Sequence, residues 1–204
     1  MLKRIFDILV SLFLLVLLSP AFILIALLIV FDSRGGVFYY QTRVGRYGKD
    51  FNLLKFRSMR SGSDKRGLLT VGARDARITR IGYYLRKYKL DELPQLLNVL
   101  AGNMSMVGPR PEVRRYVDLY NDEQRKVLEL KPGITDYASI AYINENELLA
   151  KSNDPEKTYV DEVMPVKLEL NKIYVENCGL SQDLKILGLT LIKIFRNQDS
   201  PARK

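Results

Sequence analysis

The stretch ILVSLFLLVLLSPAFILIALLIVF, residues 8–31, contains no charged side chain and decides how the chain is anchored. At about 1.5 Å per residue, a straight helix over this run would be roughly 36 Å long, enough to cross a hydrocarbon core of about 30 Å. Pro20 has no backbone N–H, so the carbonyl of Val16 loses its helical donor and a kink is predicted at Ser19-Pro20. The Ser19 hydroxyl can help satisfy the backbone groups that the proline frees.

The same run is compatible with two membrane arrangements. One is a kinked span, and the other is a helix-break-helix that enters one leaflet and returns to the same face. A cleaved signal peptide is disfavoured, because the run exceeds a 7–15-residue apolar region and no small-x-small site follows it. Basic residues flank both ends, so the positive-inside rule gives no orientation. These residues are Lys3 and Arg4 before the run, and Arg34, Arg43, Arg46 and Lys49 after it.

The overall composition restricts the chemistry. The chain has 204 residues and a net charge of +9, which suits one domain with anionic partners such as phosphorylated substrates, a lipid surface or nucleic acid. It has no histidine, which excludes Ser-His and Cys-His nucleophile pairs and histidine metal sites. The single cysteine, Cys178, excludes an internal disulfide and is interpreted as structural. Acid-base and nucleophilic work therefore falls mainly to carboxylates, Ser/Thr, Tyr or Lys.

The remaining sequence predicts an α+β, mostly helical fold in one domain. Neither a Rossmann nor a P-loop glycine fingerprint is present. The predicted segments are strands at 37–41 and 51–56, a polar loop at 61–75, helix at 76–100, a loop at 102–112, helix at 113–130, a turn and extended segment at 131–142, an acidic Asn-rich segment at 144–160, helix at 163–175, and a terminal helix at 183–195. The terminal helix is too short for a span, so it is expected to lie in the membrane interface or to pack on the domain.

The segment LDELPQLLNVL, residues 90–100, places two adjacent carboxylates before a proline-led apolar run. One interpretation is structural, with Asp91 capping a helix that begins at Glu92. The other is chemical. The preceding basic residues and a helix N-terminus suit phosphate, and carboxylates at such a site suit a divalent metal. Asp can also form an acyl-phosphate, which makes Asp91 a candidate nucleophile in a chain without histidine.

Taken in order, several motifs resemble the bacterial sugar transferases, specifically the small monotopic phosphoglycosyl transferases that consist of the catalytic domain alone. The motifs are the apolar run with its Ser19-Pro20, GGVFYYQTRVGRYGKDFNLLKFRSM at 35–59, LRKYKLDELPQLLNVLAGNMSMVGPRPE at 85–112, and KPGIT at 131–135. The resemblance covers roughly residues 1–140 and the terminal helix. Its two longest motifs, LDELPQLLNVL and MSMVGPRPE, are specific.

The resemblance implies transfer of a phospho-sugar from a UDP-sugar to polyprenol (undecaprenyl) phosphate with release of UMP, the first membrane step in the assembly of O-antigen, capsule, exopolysaccharide or glycoprotein glycans. It implies that Asp91 forms a covalent phospho-sugar intermediate, and that Glu92, with Asp91, holds Mg²⁺. Phosphate-binding roles carry over to four basic residues, Lys55, Arg57, Arg86 and Arg110, and more weakly to Arg43.

The architecture that the resemblance implies is a re-entrant hairpin at 1–33, broken at Ser19-Pro20, and a catalytic domain at 34–204. The expected location is the bacterial inner membrane, with the catalytic domain on the cytoplasmic face. The expected partners are a UDP-sugar, polyprenol phosphate and membrane lipid. A homodimer is left open, and no nucleic-acid motif is present.

The sequence departs from the family pattern at two places. Gly-Asn-Met-Ser at 102–105 stands where the family usually has Gly-Asp-Met-Ser, and the segment after KPGIT diverges and lacks an expected arginine. Asn144, Glu145 and Asn146 are candidate replacements there, against a solvated polar loop. Two rival functions are a membrane-anchored basic binding protein without activity, and a transferase that moves the sugar alone and releases UDP.

Overall fold

The computed structural model describes residues 2–63 and 75–198. Most of the loop predicted at 61–75 lies outside these residues. The described part is mostly helical with two small sheets, which confirms the α+β prediction. The strands are β1 (Phe38–Val44), β2 (Asp50–Phe56), β3 (Ser105–Val107) and β4 (Gly133–Thr135). The helices are α1 (Leu2–Leu17), α2 (Ser19–Asp32), α3 (Arg80–Lys87), α4 (Gln95–Ala101), α5 (Arg114–Val117), α6 (Asp122–Arg125), α7 (Tyr137–Ala141), α8 (Glu145–Ala150), α9 (Pro155–Thr158), α10 (Met164–Glu176) and α11 (Leu180–Gln198).

The apolar N-terminal run is a bent helix pair. α1 and α2 meet at 62° around Leu18, with Pro20 in the first turn of α2. The Ser19 hydroxyl donates to the carbonyl of Val16 at 2.8 Å, so the side chain replaces the donor that the proline removes. The predicted break is confirmed. Of the described helices, none is by itself long and apolar enough to cross a membrane, whereas the bent pair meets the test by length and composition.

One face of α1 is polar and packs on the rest of the protein. Asp7 is 2 % exposed and accepts the backbone N–H of Met106 in β3. Arg4 donates to the carbonyls of Val99 and Leu100 and so satisfies the C-terminal end of α4. Residues four apart on a helix share a face, so the inward face continues from Asp7 to the buried Ser11. The bent helix pair is therefore fastened to the domain by hydrogen bonds as well as by apolar contact.

The terminal helix α11 is bonded to the N-terminal end of α1, next to β3. Lys3 donates to the Asp183 carboxylate at 2.5 Å, and Asp183 also accepts from the hydroxyl of Tyr174 at 2.6 Å. Lys3 and Tyr174 both reach the carbonyl of Val107. Ile186 is fully buried, whereas Leu191 and Ile192 are more than half exposed. α11 thus packs on the domain along one face, which is one of the two arrangements predicted for it, and presents an apolar face outward. Its location in a membrane interface stays a prediction.

The two sheets hold the central loops in place. β1 and β2 are antiparallel, with Phe38 opposite Phe56 and Val44 opposite Asp50. β3 and β4 are parallel, and their backbones cross so closely that a Cβ on Gly133 would lie 2.0 Å from the nitrogen of Gly108. Only glycine permits this approach. The second sheet was missed because its strands are three residues long and lie in segments predicted as loop and turn.

Two predicted helices are broken in the structure. The helix at 76–100 is interrupted where Lys89 adopts a left-handed conformation (φ 57°). The helix at 113–130 ends at Val117, and Asn121 starts a new one with a capping box to Gln124. Both predictions of continuous helix were wrong, because amphipathic spacing continues through a break when the pieces pack on the same core.

Candidate active site

The carboxylates of Asp91 and Glu92 stand on a short 3-10 turn, Leu90–Glu92, between α3 and α4. The left-handed Lys89 turns the chain into this position. The N-cap position of α4 is Pro94, without a side-chain cap, so Asp91 does not cap the helix and the structural interpretation is wrong. The pair also precedes α4 rather than lying in its first turn. Asp91 is 5 % exposed, which is costly for a carboxylate without a structural partner.

Glu92 is held by two cations. The guanidinium of Arg110 donates through both terminal nitrogens, one at 3.3 Å to Oε2 and the other to Oε1. The Lys55 ammonium lies 3.2 Å from Oε1. Burial alone would raise the pKa of Glu92, but Arg110 and Lys55 outweigh it and hold the pKa well below its ordinary value. Burial lowers the pKa of Lys55, and Glu92 opposes that shift. Glu92 is therefore a fixed anion with its geometry set by a bidentate pair.

Asp91 differs from its neighbour. Among the described residues, none donates a hydrogen bond to its carboxylate or forms an ion pair with it. Burial raises the pKa of Asp91, and the negative charge of Glu92 raises it further, against the attraction of Lys55 and Arg86. The pKa values of two adjacent carboxyl groups are thus shifted in opposite directions, which is the pattern found where two acids have different roles. Asp91 is free to act on a ligand, while Glu92 is restrained.

The other predicted basic residues line the same cavity but form no hydrogen bond or ion pair with the two acids among the described residues. Arg57 is 5 % exposed and donates to the carbonyls of Ile29, Ser33 and Arg34, which closes the end of α2. Arg43 pairs with Glu112 at 2.9 Å. Arg86 lies in the last turn of α3 and lines the same cavity as Asp91. The structure therefore brings Lys55 and Arg110 to the acids and commits Arg57 and Arg43 to contacts with the protein itself. Their phosphate-binding roles stay predictions.

The acids lie in a large cavity of about 1000 Å³. Its wall includes residues of β1, β2, the 3-10 turn, α7 and α8. Leu14 and Leu18, near the bend of the helix pair, contribute to the wall, and so do Lys193 and Ile194 of α11. The cavity therefore joins the acid pair to the apolar N-terminal and C-terminal helices.

Several polar residues around this cavity were not predicted. Asp136 is fully buried and accepts the backbone N–H of Arg110 at 2.9 Å, so it fixes the segment that carries the guanidinium. Glu112 accepts from Arg43 and Tyr159, and Lys167 pairs with Glu145 at 2.7 Å. Glu112 lies in the quoted GPRPE motif, but Tyr159 and Lys167 follow it by 47 and 55 residues, and no local pattern indicates them.

The divergent segment contributes part of this wall. Glu145 and Asn146 line the cavity, with Glu145 in an ion pair rather than in a solvated loop. The side chain of Asp136 caps α7 by accepting the N–H of Ser139. The segment after KPGIT therefore continues as a capped helix where an extended segment was predicted.

The residues fit a magnesium ion that is held by only one or two protein carboxylates. In the described ranges, no group of three or more carboxylate or thiol side chains is placed to hold a metal. Mg²⁺ in phosphate-handling sites takes only one or two carboxylates, and completes its shell with water and substrate phosphate. The unengaged carboxylate of Asp91, next to the oriented Glu92, is such a donor set. Glu92 would share its oxygens between the ion and the two cations that hold it.

Comparison with known proteins bears on the same residues. The family model for bacterial sugar transferase matches residues 1–197. A sugar transferase of Bacillus subtilis named EpsL is 38% identical over 95% of this chain and 87% of its own length. The exopolysaccharide production protein ExoY of Sinorhizobium fredii is 34% identical over 97% of this chain and 87% of its own.

A longer relative is named for its reaction. The UDP-glucose:undecaprenyl-phosphate glucose-1-phosphate transferase of Escherichia coli is 35% identical over 97% of this chain, which spans 41% of that protein. The family match covers nearly the whole chain, including the bent helix pair, the acid pair and most of the terminal helix. This chain therefore belongs to the bacterial sugar transferase family.

Proposed function

We propose that this protein transfers a phospho-sugar from a UDP-sugar to polyprenol phosphate, releasing UMP and forming a polyprenol-diphosphate-sugar. The observation that carries the proposal is the unengaged, buried carboxylate of Asp91 beside the restrained Glu92, in a cavity that reaches the apolar helices. The printed names of relatives, which specify undecaprenyl phosphate and sugar-1-phosphate transfer, support the same reaction. Exopolysaccharide assembly is the pathway class that the name of ExoY supports.

The chemistry divides into two displacements at one phosphorus. In the first, a carboxylate oxygen of Asp91 attacks the β-phosphorus of the UDP-sugar. The bond from that phosphorus to the bridging oxygen breaks, and UMP leaves with the electron pair. In the second, a phosphate oxygen of the polyprenol phosphate attacks the same phosphorus, and the acyl-phosphate bond breaks to restore the carboxylate. Neither step requires a proton from the protein, which agrees with a chain that has no histidine.

The surrounding residues orient and neutralise charge. Arg110 and Lys55 hold Glu92 at a fixed angle beside the nucleophile, and their remaining N–H groups are placed to meet diphosphate oxygens. Arg86 contributes a further positive charge near Asp91. Bound Mg²⁺ would neutralise diphosphate charge that otherwise repels the attacking carboxylate. Asp91 and Glu92 are the residues that would hold it.

The test of this function is which nucleotide is released. The purified protein is incubated with undecaprenyl phosphate, Mg²⁺ and each of a panel of UDP-sugars, and the products are separated by chromatography. UMP is expected with at least one donor, together with a lipid diphosphate product. UDP would instead indicate transfer of the sugar alone. No release from any donor would favour the basic binding protein and contradict the proposal.

The pH dependence of the first displacement provides a second prediction. Asp91 attacks only as the carboxylate, so its raised pKa should place the acidic limb of UMP release above the ordinary range of an aspartate. Glu92→Gln removes a charge that raises this pKa, so the limb should move to lower pH even though the rate falls. The measurement is single-turnover UMP release as a function of pH. A limb that stays in place in Glu92→Gln would contradict the assignment.

The bent helix pair is proposed to be a re-entrant hairpin that holds the catalytic domain on the cytoplasmic face of the membrane. The 62° bend and the polar inward face of α1 support this, because Asp7 and Arg4 are already bonded to the domain. A helix fastened to the domain at its N-terminal end returns to the face from which it started.

Pro20→Leu should straighten the bend, because it restores the missing N–H at that position. The N-terminus is then expected to be displaced toward the opposite face. The measurement is accessibility of a cysteine introduced before Lys3 to a membrane-impermeant reagent, in a chain in which Cys178 is replaced. Identical labelling from the cytoplasmic side in both proteins would show that Pro20 does not determine the topology.

A further inference from the structure

Part of the wall of the active-site cavity is built from the two apolar helices rather than from the catalytic loops. Five residues form this part of the wall, which we call the lipid-side mouth: Leu14 of α1, Leu18 at the bend between α1 and α2, and Thr190, Lys193 and Ile194 of α11. We infer that the polyprenol phosphate reaches Asp91 through the lipid-side mouth, with Lys193 as the residue that meets its phosphate. The inference rests on the proposed function and deepens it by assigning a route and a binding residue to the acceptor.

Helix periodicity explains why these side chains line the same cavity. Leu14 and Leu18 are four residues apart, and they extend the inward face of α1 that begins with Asp7 and Ser11. On α11, Thr190, Lys193 and Ile194 are related by spacings of three and four, and Thr190 is oriented inward by its hydrogen bond to Thr135 at 2.7 Å. The mouth is therefore built from the inward faces of the two helices.

The outward faces of the same two helices place the mouth at the level of the bilayer. Phe13 and Leu17 on α1 are 64% and 59% exposed, and Leu191 and Ile192 on α11 are 58% and 57% exposed. Such a concentration of large exposed apolar side chains on two neighbouring helices indicates a surface covered by lipid. A substrate whose long apolar chain lies in the membrane would meet the cavity here without leaving the lipid.

The rest of the cavity wall differs in chemistry from the lipid-side mouth. It carries the charged pairs Arg43–Glu112 and Lys167–Glu145, which suit a hydrophilic donor with a sugar and a nucleotide. The lipid-side mouth has three aliphatic side chains and a single cation, Lys193. Among the described residues, none forms an ion pair with its ammonium. A lysine with an apolar stem and an unpaired ammonium suits a phosphate at the end of a lipid.

The terminal helix supplies its own controls. Lys185 lies on α11 and is exposed, but it does not line the cavity. Lys193→Ala is expected to raise the KM for undecaprenyl phosphate about tenfold, the effect of losing one charge-assisted hydrogen bond of about 1.4 kcal/mol. The KM for the UDP-sugar should be unchanged. Lys185→Ala should change neither value.

Ile194→Trp should obstruct the mouth and impair only the acceptor step, whereas Ile192→Trp on the outward face should not.

The decisive measurement separates the two half-reactions. The burst of UMP formed by the protein without any acceptor reports the first displacement, and the rate with undecaprenyl phosphate in detergent micelles reports the second. An unchanged burst with a raised acceptor KM in Lys193→Ala supports the inference. Equal effects of Lys193→Ala and Lys185→Ala would show general attraction to anionic surfaces and overturn it, as would a reduced burst. Absence of a burst in the unaltered protein would overturn the proposed covalent function itself.

Discussion

Replacing Asp91 with asparagine is expected to abolish UMP release, by more than about 1000-fold, because the amide cannot attack phosphorus. The same change should make the folded protein more stable at neutral pH. The folded state holds the Asp91 proton more tightly than the unfolded chain does, because burial and Glu92 raise the pKa above the ordinary value of 3.8. Above the raised pKa the buried charge costs stability, and asparagine removes that cost.

The difference in stability between Asp91→Asn and the unaltered protein should depend on pH. The advantage of Asp91→Asn should be fully present at pH 7 and decrease as the pH falls through the raised pKa. It should vanish below about 3.8, where the aspartate is protonated in both states. Thermal unfolding in detergent at several pH values measures it, with UMP release assayed on the same preparations. A variant that is inactive and also less stable at pH 7 would contradict the description of Asp91 as an unpaired buried carboxylate.

Replacing Arg110 with methionine is expected to damage both stability and activity. Breaking a buried ion pair typically costs roughly 3–5 kcal/mol, because the remaining charge stays buried. The loss should fall at the lower end of that range, because the side chain of Arg110 is 32% exposed and Lys55 remains beside Glu92. Activity should fall by about 100-fold or more, since Glu92 loses its bidentate orientation and the diphosphate loses a donor.

A double variant distinguishes these two effects. Glu92→Gln combined with Arg110→Met removes both charges, so it should recover much of the lost stability while remaining inactive. Arg115→Met is a matched control, because Arg115 forms an ion pair with Glu156 in which both side chains are about half exposed or more. That pair should contribute less than about 1 kcal/mol. Equal destabilisation by Arg110→Met and Arg115→Met would contradict the assigned role of the Glu92 pair.

Local chemistry made some of these features predictable. The bend at Ser19-Pro20 follows from the missing N–H of proline, and the substitute donor is the hydroxyl next to it. The pairing of β1 with β2 follows from two strand-like runs around a glycine-containing turn. The acid pair could be recognised because both residues lie in one short motif, although the left-handed Lys89 and the 3-10 turn that present them could not.

Other features depend on residues far apart in the sequence. The bond from Lys3 to Asp183 joins positions 180 residues apart, and the bond from Tyr159 to Glu112 joins positions 47 apart. For Arg57, the motif is visible in the sequence, but the contacts of the side chain are not. It belongs to a basic motif, but the tertiary structure turns its guanidinium onto the carbonyls at the end of α2. A basic side chain in a motif has no partner until the fold supplies one.

The sequence by itself determined the apolar run and its break and the identity of the two carboxylates, since each depends on residues that are adjacent in the chain, and its composition excluded histidine chemistry. The tertiary structure decided which carboxylate is restrained and which is free. Arg110 and Lys55 reach Glu92 from segments on either side of it, and both leave Asp91 without a hydrogen bond among the described residues. That difference between two neighbours depends on burial and on the direction of approach of distant cations, which only the packed fold defines.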